Sequence, residues 1–419
     1  MVERRKPIPV QEAVDKVMAL SYEGSTELIS LSESDGRHLS EDVKADHDVP
    51  PFDRSPYDGF AIRSVDTYNA GQDSPIELEV IEEIGAGTVA TKIPEANQAI
   101  RIMTGAPIPE GTDAVIMLEL VQELQVEAQH FIKIKRRVKK GDNLSLQGED
   151  TRKGTILVEK GSIITPGVKA LLATFGYAKV PVAVKPDVGI FATGTELLDP
   201  EEALEPGKIR NSNSPMIEGQ VKAAGANPLY FGKLDDDFET CFTSVQEALE
   251  KVDLLITTGG VSVGDYDYLP AIYEKLGATV LFNKVGMRPG SVTTVAEWNG
   301  KLLFGLSGNP SACFVGFELF ARPILKRALF SQYPYRMKSM GTLLTDFPKP
   351  NPFTRFVRCK TEEREGRIYV KPTGLDKSGS VTSLAEANAF AVLPGGTRGF
   401  KSGDLVDLIH LRDGGSDYL

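Results

Sequence analysis

Cysteine is scarce in this chain. Only three occur in 419 residues, Cys241, Cys313 and Cys359, widely spaced and without a C-x-x-C pair. That argues against zinc and against a disulfide framework, and it fits a reducing compartment. Basic charge is short as well. The formal net charge is −11, so the chain lacks the cationic excess with which nucleic-acid-binding proteins meet phosphates, and no nucleic acid is expected as a partner. Long apolar runs are missing too, since nothing approaches the roughly 18 residues of a membrane span. The opening stretch M-V-E-R-R-K-P-I-P is basic but no apolar run follows it. Neither a signal peptide nor a membrane span is predicted, and the cytoplasm is the expected location. No G-x-x-x-x-G-K-[ST] loop is present either, so a phosphate-bearing ligand would not be held by a P-loop lysine.

What is present is ordinary globular composition, 41% hydrophobic and 25% charged, with length for about three domains at roughly 150 residues each. The most regular part is residues 180–330. Five apolar runs, Val188–Ala192, Leu229–Gly232, Leu254–Thr258, Thr279–Asn283 and Leu302–Leu306, are separated mostly by amphipathic segments that begin at Pro215, Phe238 and Tyr268; a long helical pattern follows from Ser311. That alternation predicts a doubly wound, mostly parallel α/β domain with helices on both faces. The stretch T-T-V-A-E-W-N-G-K-L-L-F-G reads as a hairpin turning at Asn299-Gly300, which makes the sheet mixed. Residues 335–419 read as a C-terminal small β-barrel domain of short strands and turns. Residues 47–145 are strand-rich, whereas 1–46 and 146–179 look more helical. The expectation is a discontinuous N-terminal helical domain built from those two pieces, with an inserted β-rich domain between them.

Two glycine-rich stretches need separate readings. G-A-G-T-V-A, Gly85 to Ala90, matches a loose dinucleotide pattern, but such a loop must open an amphipathic helix, and Pro94 falls where the first turns would be. It is read as a plain turn. T-T-G-G-V-S-V-G-D-Y-D-Y, residues 257–268, follows a buried apolar run instead, and acids at Asp265 and Asp267 stand where a phosphate loop would carry a lysine.

Open α/β sheets place ligands at the carboxyl ends of their strands. Those ends carry T-G-T-E-L with Thr193 and Glu196, L-D-D-D with Asp235, Asp236 and Asp237, the stretch with Asp265 and Asp267, and L-S-G-N-P with Ser307, Asn309 and Pro310. Lys284 and Arg288 lie between, in N-K-V-G-M-R-P-G. Singly, such residues are ordinary helix caps and turns. Together they would bring carboxylates from three loops to one rim, where two charges about 4 Å apart repel by roughly 4 kcal/mol at an effective dielectric near 20. A cation between them removes that cost. Oxygen ligands without histidine or cysteine indicate a hard ion, Mg²⁺ when phosphates complete the shell.

Four of these motifs, T-G-T-E-L, T-T-G-G-V-S-V-G-D-Y-D-Y, G-M-R-P-G and L-S-G-N-P, in this order and spacing, resemble the molybdopterin molybdenumtransferase family of molybdenum cofactor biosynthesis, whose animal counterpart is the C-terminal region of gephyrin. The N-terminal half matches through P-P-F-D-R-S-P-Y-D-G-F from Pro50, R-I-M-T-G-A-P-I-P from Arg101 and G-D-N-L-S-L-Q-G-E-D from Gly141. The resemblance implies Mg²⁺-dependent hydrolysis of adenylated molybdopterin, with molybdate placed on the dithiolene to give molybdenum cofactor and AMP. It implies that Glu196, Asp267 and one or both of Asp235 and Asp236 hold Mg²⁺, with Asp265 a further candidate ligand. Thr193, Gly194, Gly259, Gly260, Ser262, Gly264, Pro289, Gly290, Ser307, Gly308, Asn309 and Pro310 would contact substrate. Lys284 and Arg288 would receive oxyanions. Asp58, Thr104 and Asp150 would reach the cleft from the partner subunit of a homodimer, and pathway proteins would deliver substrate or accept product. Where many family members read Lys-Pro-Gly-Lys-Pro, this chain has Arg288-Pro289-Gly290-Ser291-Val292. A molybdopterin adenylyltransferase and a non-catalytic peptide-binding scaffold are the competing readings. The assembled acids disfavour the scaffold, which has no need of mutually repelling carboxylates.

Overall fold

A computed structural model describes residues 6–234, 237–260, 268–349 and 352–411. The described chain divides into two compact units, one of residues 1–41, 160–170 and 178–419 and one of residues 42–159 and 171–177.

The first unit is organised by an α/β sheet. In chain order its elements are β1 (Asp187–Thr193), α1 (Asn213–Ala224), β2 (Asn227–Leu234), α2 (Phe238–Lys251), β3 (Leu254–Thr258), α3 (Leu269–Leu276), β4 (Thr279–Phe282), β5 (Thr294–Trp298), β6 (Lys301–Leu306) and α4 (Pro310–Gly316). All five apolar runs became strands. The spatial order is β2-β1-β3-β6-β5-β4, with β2, β1, β3 and β6 parallel and β5 antiparallel to both of its neighbours. The expected hairpin is β5–β6. Trp298 pairs with Lys301, and Asn299 and Gly300 both take positive φ, 50° and 81°, as a two-residue hairpin turn requires. Alternation along β3 fills both faces. Leu254 and Ile256 join a core with Ile217 and Val221 of α1, whereas Leu255 joins Val245 and Leu249 of α2 and Ile272 of α3. A strand covered on both faces has to be apolar throughout, which is how L-L-I-T-T reads.

Past α4 the helix passes through a π turn at Phe317–Ala321 and continues as Arg322–Ala328. The chain then builds a closed five-stranded barrel. Thr354–Arg364 pairs with Arg367–Pro372, which pairs with Lys338–Leu343, then Leu405–His410, then Ala389–Leu393 and back to Thr354–Arg364. Its interior holds Leu343, Val357, Val370, Ala391 and Leu408. The two-residue strand Met287–Arg288 leaves the α/β segment and pairs in parallel with Thr354–Arg355 of the barrel. At the amino end of this unit, Thr26–Ser30 pairs antiparallel with Lys179–Ala183. Segments distant in sequence are thereby joined.

The second unit is a six-stranded sheet in the order Ala114–Met117, Gly59–Ile62, Gln98–Ile102, Ile76–Ile84, Gln129–Ile134, Val121–Val126. Among the described residues, the two segments expected to be helical carry one helix each, Val10–Met18 and Pro166–Thr174, together with short strands, 3-10 turns and loops. No helix opens after Ile84. Gly85–Ala90 runs through turns, and the Glu82 carboxylate accepts the backbone N–H groups of Thr91 and Lys92, so this glycine stretch is a loop tied to its own strand.

Gly59 occupies an inner strand of that sheet, where a methyl group would enter the carbonyl of Ile116 and stand 3.0 Å from the Met117 Cα. Because both obstacles are backbone, neighbouring side chains cannot give way. Gly59→Ala is expected to destabilise this unit by about 2–4 kcal/mol, read as a lower urea midpoint; an unchanged midpoint would mean that the strand spacing differs from this one.

Candidate functional site

The strand order changes direction at β1. From β1 the chain moves to β2 on one side and returns to β3 on the other, so the crevice between the carboxyl ends of β1 and β3 is the topological switch point, where open α/β sheets bind ligands. Thr193 ends β1, and its Oγ1 donates to the Thr258 carbonyl at the end of β3 (3.2 Å). The two turns are packed almost without clearance. A Cβ on Gly259, whose φ is +97°, would collide with Thr193 Oγ1 and lie 3.0 Å from its carbonyl oxygen. Gly260 is left-handed as well, at +66°. Gly308, after β6, comes within 3.6 Å of Gly259 by the same measure, while Gly259 N–H donates to Leu306 (2.8 Å) and the Asn213 amide of α1 donates to Gly308 (2.8 Å). Thr193, Gly259, Gly260 and Gly308 are therefore one cluster. Gly194 has φ +130° with the Glu196 carboxylate lying over its α-carbon. Glu196 is exposed, and among the described residues its carboxylate is engaged in no ion pair.

Asp235, Asp236, Val261 to Gly264 with Ser262, Asp265 and Asp267 lie outside the described residues, and no group of three or more histidine, cysteine or acidic side chains suited to a metal occurs among the residues that are described. Asp237 adopts the bland role open to it. It is the N-cap of α2, accepting from Thr240 N (2.8 Å) and Oγ1 (2.7 Å), and those hydrogen bonds hold its carboxyl below the usual range. Asn309 and Pro310 likewise occupy the N-cap and first position of α4, but the Asn309 side chain makes no capping bond; only its backbone carbonyl accepts, from Ala312 and Cys313.

Beside this cluster lies a cavity of about 930 Å³. Arg288, Pro289, Gly290, Ser291 and Val292 form one wall, Ser307, Asn309 and Ala312 a second, and Arg355, Arg358 and residues 375–382 a third. Gly290 (φ +87°) packs against α4, where a Cβ would stand 2.9 Å from Met287 Cε and 3.3 Å from the Ala312 carbonyl oxygen. Of the two expected cations, Arg288 lines the cavity. Lys284 is half-buried and is not among the residues that line it.

Arg355 and Arg358 come from the barrel, and no sequence reading had pointed to them. They sit in the run T-R-F-V-R-C-K, which reads as a strand and nothing more. The signal is one of pairing, because Arg288 is the register partner of Arg355. Arg355 is 8% exposed, binds the Asp376 carboxylate through Nη1, and has an Nε with no partner. Burial pulls the Arg358 guanidinium below the usual arginine range, with Asp376 opposing.

Three further expected residues belong to the second unit. Asp58 precedes Gly59–Ile62, and its Oδ1 accepts from Thr104 N (2.7 Å) and Thr104 Oγ1 (2.9 Å). Thr104 lies in a turn closed by Ala106 N–H to the Met103 carbonyl (3.1 Å), and Gly105 N–H ties that turn to the Ser55 carbonyl (2.8 Å). Asp150 is exposed, its N–H donating to Val49 (3.0 Å). Asp58 and Thr104 are thus brought together, while no hydrogen bond or ion pair among the described residues links the Asp150 carboxylate to either. The Thr104 backbone N–H, then its hydroxyl, hold the Asp58 carboxyl below its ordinary range.

The chain matches three family models in sequence order: "MoeA N-terminal region (domain I and II)" over residues 8–176, "Probable molybdopterin binding domain" over 189–327, and "MoeA C-terminal region (domain IV)" over 340–411. It is 59% identical over 413 residues to the molybdopterin molybdenumtransferase of Bacillus subtilis, covering 99% of this chain and 96% of that one. Identity to the enzyme of that name from Staphylococcus epidermidis is 51%, covering 97% and 96%. Among solved structures it is similar to the molybdopterin biosynthesis moeA protein of Pyrococcus horikoshii OT3, with a TM-score of 0.81 and 33% identity over 97% of this chain and all of the other.

The Asp58–Thr104 pair has a direct readout. Thr104→Val keeps the backbone donor, the larger influence, and deletes the hydroxyl. The Asp58 carboxyl should titrate at higher pH than in the parent while remaining below a free aspartate. Carbon-detected NMR of the Asp58 carboxyl would follow this. Since the bonds favour the carboxylate, they are lost as pH falls through the folded value, and an unshifted titration would remove the hydroxyl from the account.

Proposed function

The chain belongs to the molybdopterin molybdenumtransferase family, and from that premise we propose that it cleaves adenylated molybdopterin, releases AMP and places molybdenum from molybdate on the dithiolene. The observation that carries the reading is the cavity beside the switch point. It sets the register partners Arg288 and Arg355 next to the Ser307–Asn309 turn. Asp376 already neutralises Arg355 through one of its oxygens, whereas Arg288 is exposed and in no ion pair among the described residues; each guanidinium presents a planar fork suited to an oxyanion. The left-handed φ of Gly194, Gly259 and Gly260 gives sharp turns without side chains at the strand ends, the kind of backbone that a phosphate-bearing ligand can approach closely.

Glu196 has the right chemistry for a hard divalent cation: an exposed carboxylate with no ion-pair partner among the described residues, and no imidazole or thiolate in the proposed set. In this proposal it holds Mg²⁺ with Asp267 and one or both of Asp235 and Asp236, with Asp265 as a further donor. The ion would act as a Lewis acid and a template for the pyrophosphate. The residues of this chain do the rest. Thr193 and the strand-end glycines orient the ligand, Arg288 and Arg355 hold molybdate, and Lys284 supplies positive potential nearby. A homodimer is part of the same proposal, with Asp58, Thr104 and Asp150 contributed by a second subunit. Among the described residues no helix is long and apolar enough to cross a membrane, and the cytoplasm, where a dithiolene stays reduced, is the proposed location.

Glu196→Gln and Asp267→Asn are expected to lower Mg²⁺-dependent AMP release by at least about a hundredfold with the thermal transition unchanged, since a lost ligand charge weakens the ion but not the fold. Full AMP release in both variants would refute the metal site. Transfer of AMP from ATP onto molybdopterin, in place of its release, would identify an adenylyltransferase.

The shared site has its own test. Heterodimers of an Asp58→Ala subunit and an Asp267→Ala subunit contain one intact cleft if the site is built across two chains, so activity should reappear at roughly a quarter to a half of the parent level. A monomer in sedimentation, or silent heterodimers, would rule that arrangement out.

A further inference from the structure

Arg358 is 1% exposed, and its donors are spent on one short segment. Nε donates to Ser383 Oγ (3.3 Å), Nη1 to Asp376 (3.3 Å), and Nη2 to the carbonyls of Leu375 and Lys377 (3.2 Å each). That segment, residues 375–383, supplies the third wall of the cavity. Its middle is tied to the α/β domain instead, where Ser311 at the start of α4 donates from N to Ser378 (3.0 Å) and from Oγ to Ser380 (2.6 Å). Asp376 binds Arg358 with one oxygen and Arg355 with the other.

A guanidinium this deeply buried gives little net stability, because an apolar residue of similar volume would usually serve the fold as well. Its use is then geometric. We propose that Arg358 and Asp376 are positioning residues: Arg358 fixes the 375–383 wall across the barrel and α4, and Asp376 sets the orientation in which Arg355 faces an oxyanion beside Arg288. This rests on the oxyanion reading above. Neither residue is assigned contact with the oxyanion.

Charge and position make opposite predictions for Asp376→Asn. Removing a negative charge beside an anion site should tighten oxyanion use by simple Coulomb attraction. Under the positioning role it should weaken use, since one end of the amide is a donor and faces a guanidinium, breaking one of the two arginine bridges, while the looser Lys349 contact (3.7 Å) cannot replace it. The measurement is the molybdate concentration for half-maximal molybdenum insertion by the full-length enzyme, at saturating Mg²⁺ and adenylated molybdopterin. Asp376→Asn and Arg358→Lys are expected to raise it roughly tenfold, with turnover at saturating molybdate within about twofold of the parent. Arg364→Ala, an exposed arginine at the far end of the same strand that bridges Glu362 and stacks on Tyr369, should change nothing.

Hydrogen exchange on Asp376→Asn separates positioning from general stability. The Ser311 amide should lose protection while Thr354–Arg364 keeps it; equal loss across the barrel overturns the proposal. So does an unchanged or lower molybdate requirement in Asp376→Asn when Arg288→Ala raises it. If Arg288→Ala leaves the requirement unchanged as well, the oxyanion reading itself fails.

Discussion

Three parallel strands can end side by side around a ligand only if the turns leaving them take up almost no volume. That constraint governs this molecule. Gly259 lies against Thr193 and Gly308 against Gly259, with no room for a Cβ on Gly259, and the left-handed φ of Gly194, Gly259 and Gly260 lets the backbone turn away at once. The hydrogen bonds from Thr193 to Thr258, Gly259 to Leu306 and Asn213 to Gly308 then join β1, β3, β6 and α1 at one point. The crevice follows from the strand order, and its openness follows from the glycines.

Much of this was legible in the sequence because it is local. Apolar runs of strand length, amphipathic runs of helix length and Asn299-Gly300 between two strands each encode their geometry over a few residues, and all of them folded as read. The exclusion of Gly85–Ala90 as a cofactor loop was local too, resting on the missing helix. By contrast, the segments 1–46 and 146–179 mix one helix each with short strands whose partners are distant, such as Val43 with Val158. A two- or three-residue strand has no periodicity to detect.

The cations show the same boundary between local and distant information. Arg288 was legible as a candidate because it stands in a proline-glycine turn beside the acids in sequence. Arg355 and Arg358 were not, since two arginines three residues apart in a strand form no alternating pattern that would mark a shared site. What distinguishes them is a carboxylate about twenty residues away, Asp376, and a register partner more than sixty residues away, Arg288. Asp237 is the converse case: it lies among three consecutive acids, and only its bonds to Thr240 identify it as a cap.

The barrel is therefore not an appendage to the α/β domain. Met287–Arg288 belongs by sequence to the α/β segment, yet it hydrogen-bonds as a barrel strand, and residues 375–383 belong to the barrel yet bond to Ser311 of α4. Each structure lends a segment to the other on the two sides of one cavity. A shift of the barrel would change the distances among Arg288, Asn309 and Arg355, which stand on three different walls. The spacing of the cations around that cavity would then depend on how rigidly the double exchange is held. The strand ends alone, with their open glycine turns, are too permissive to impose it.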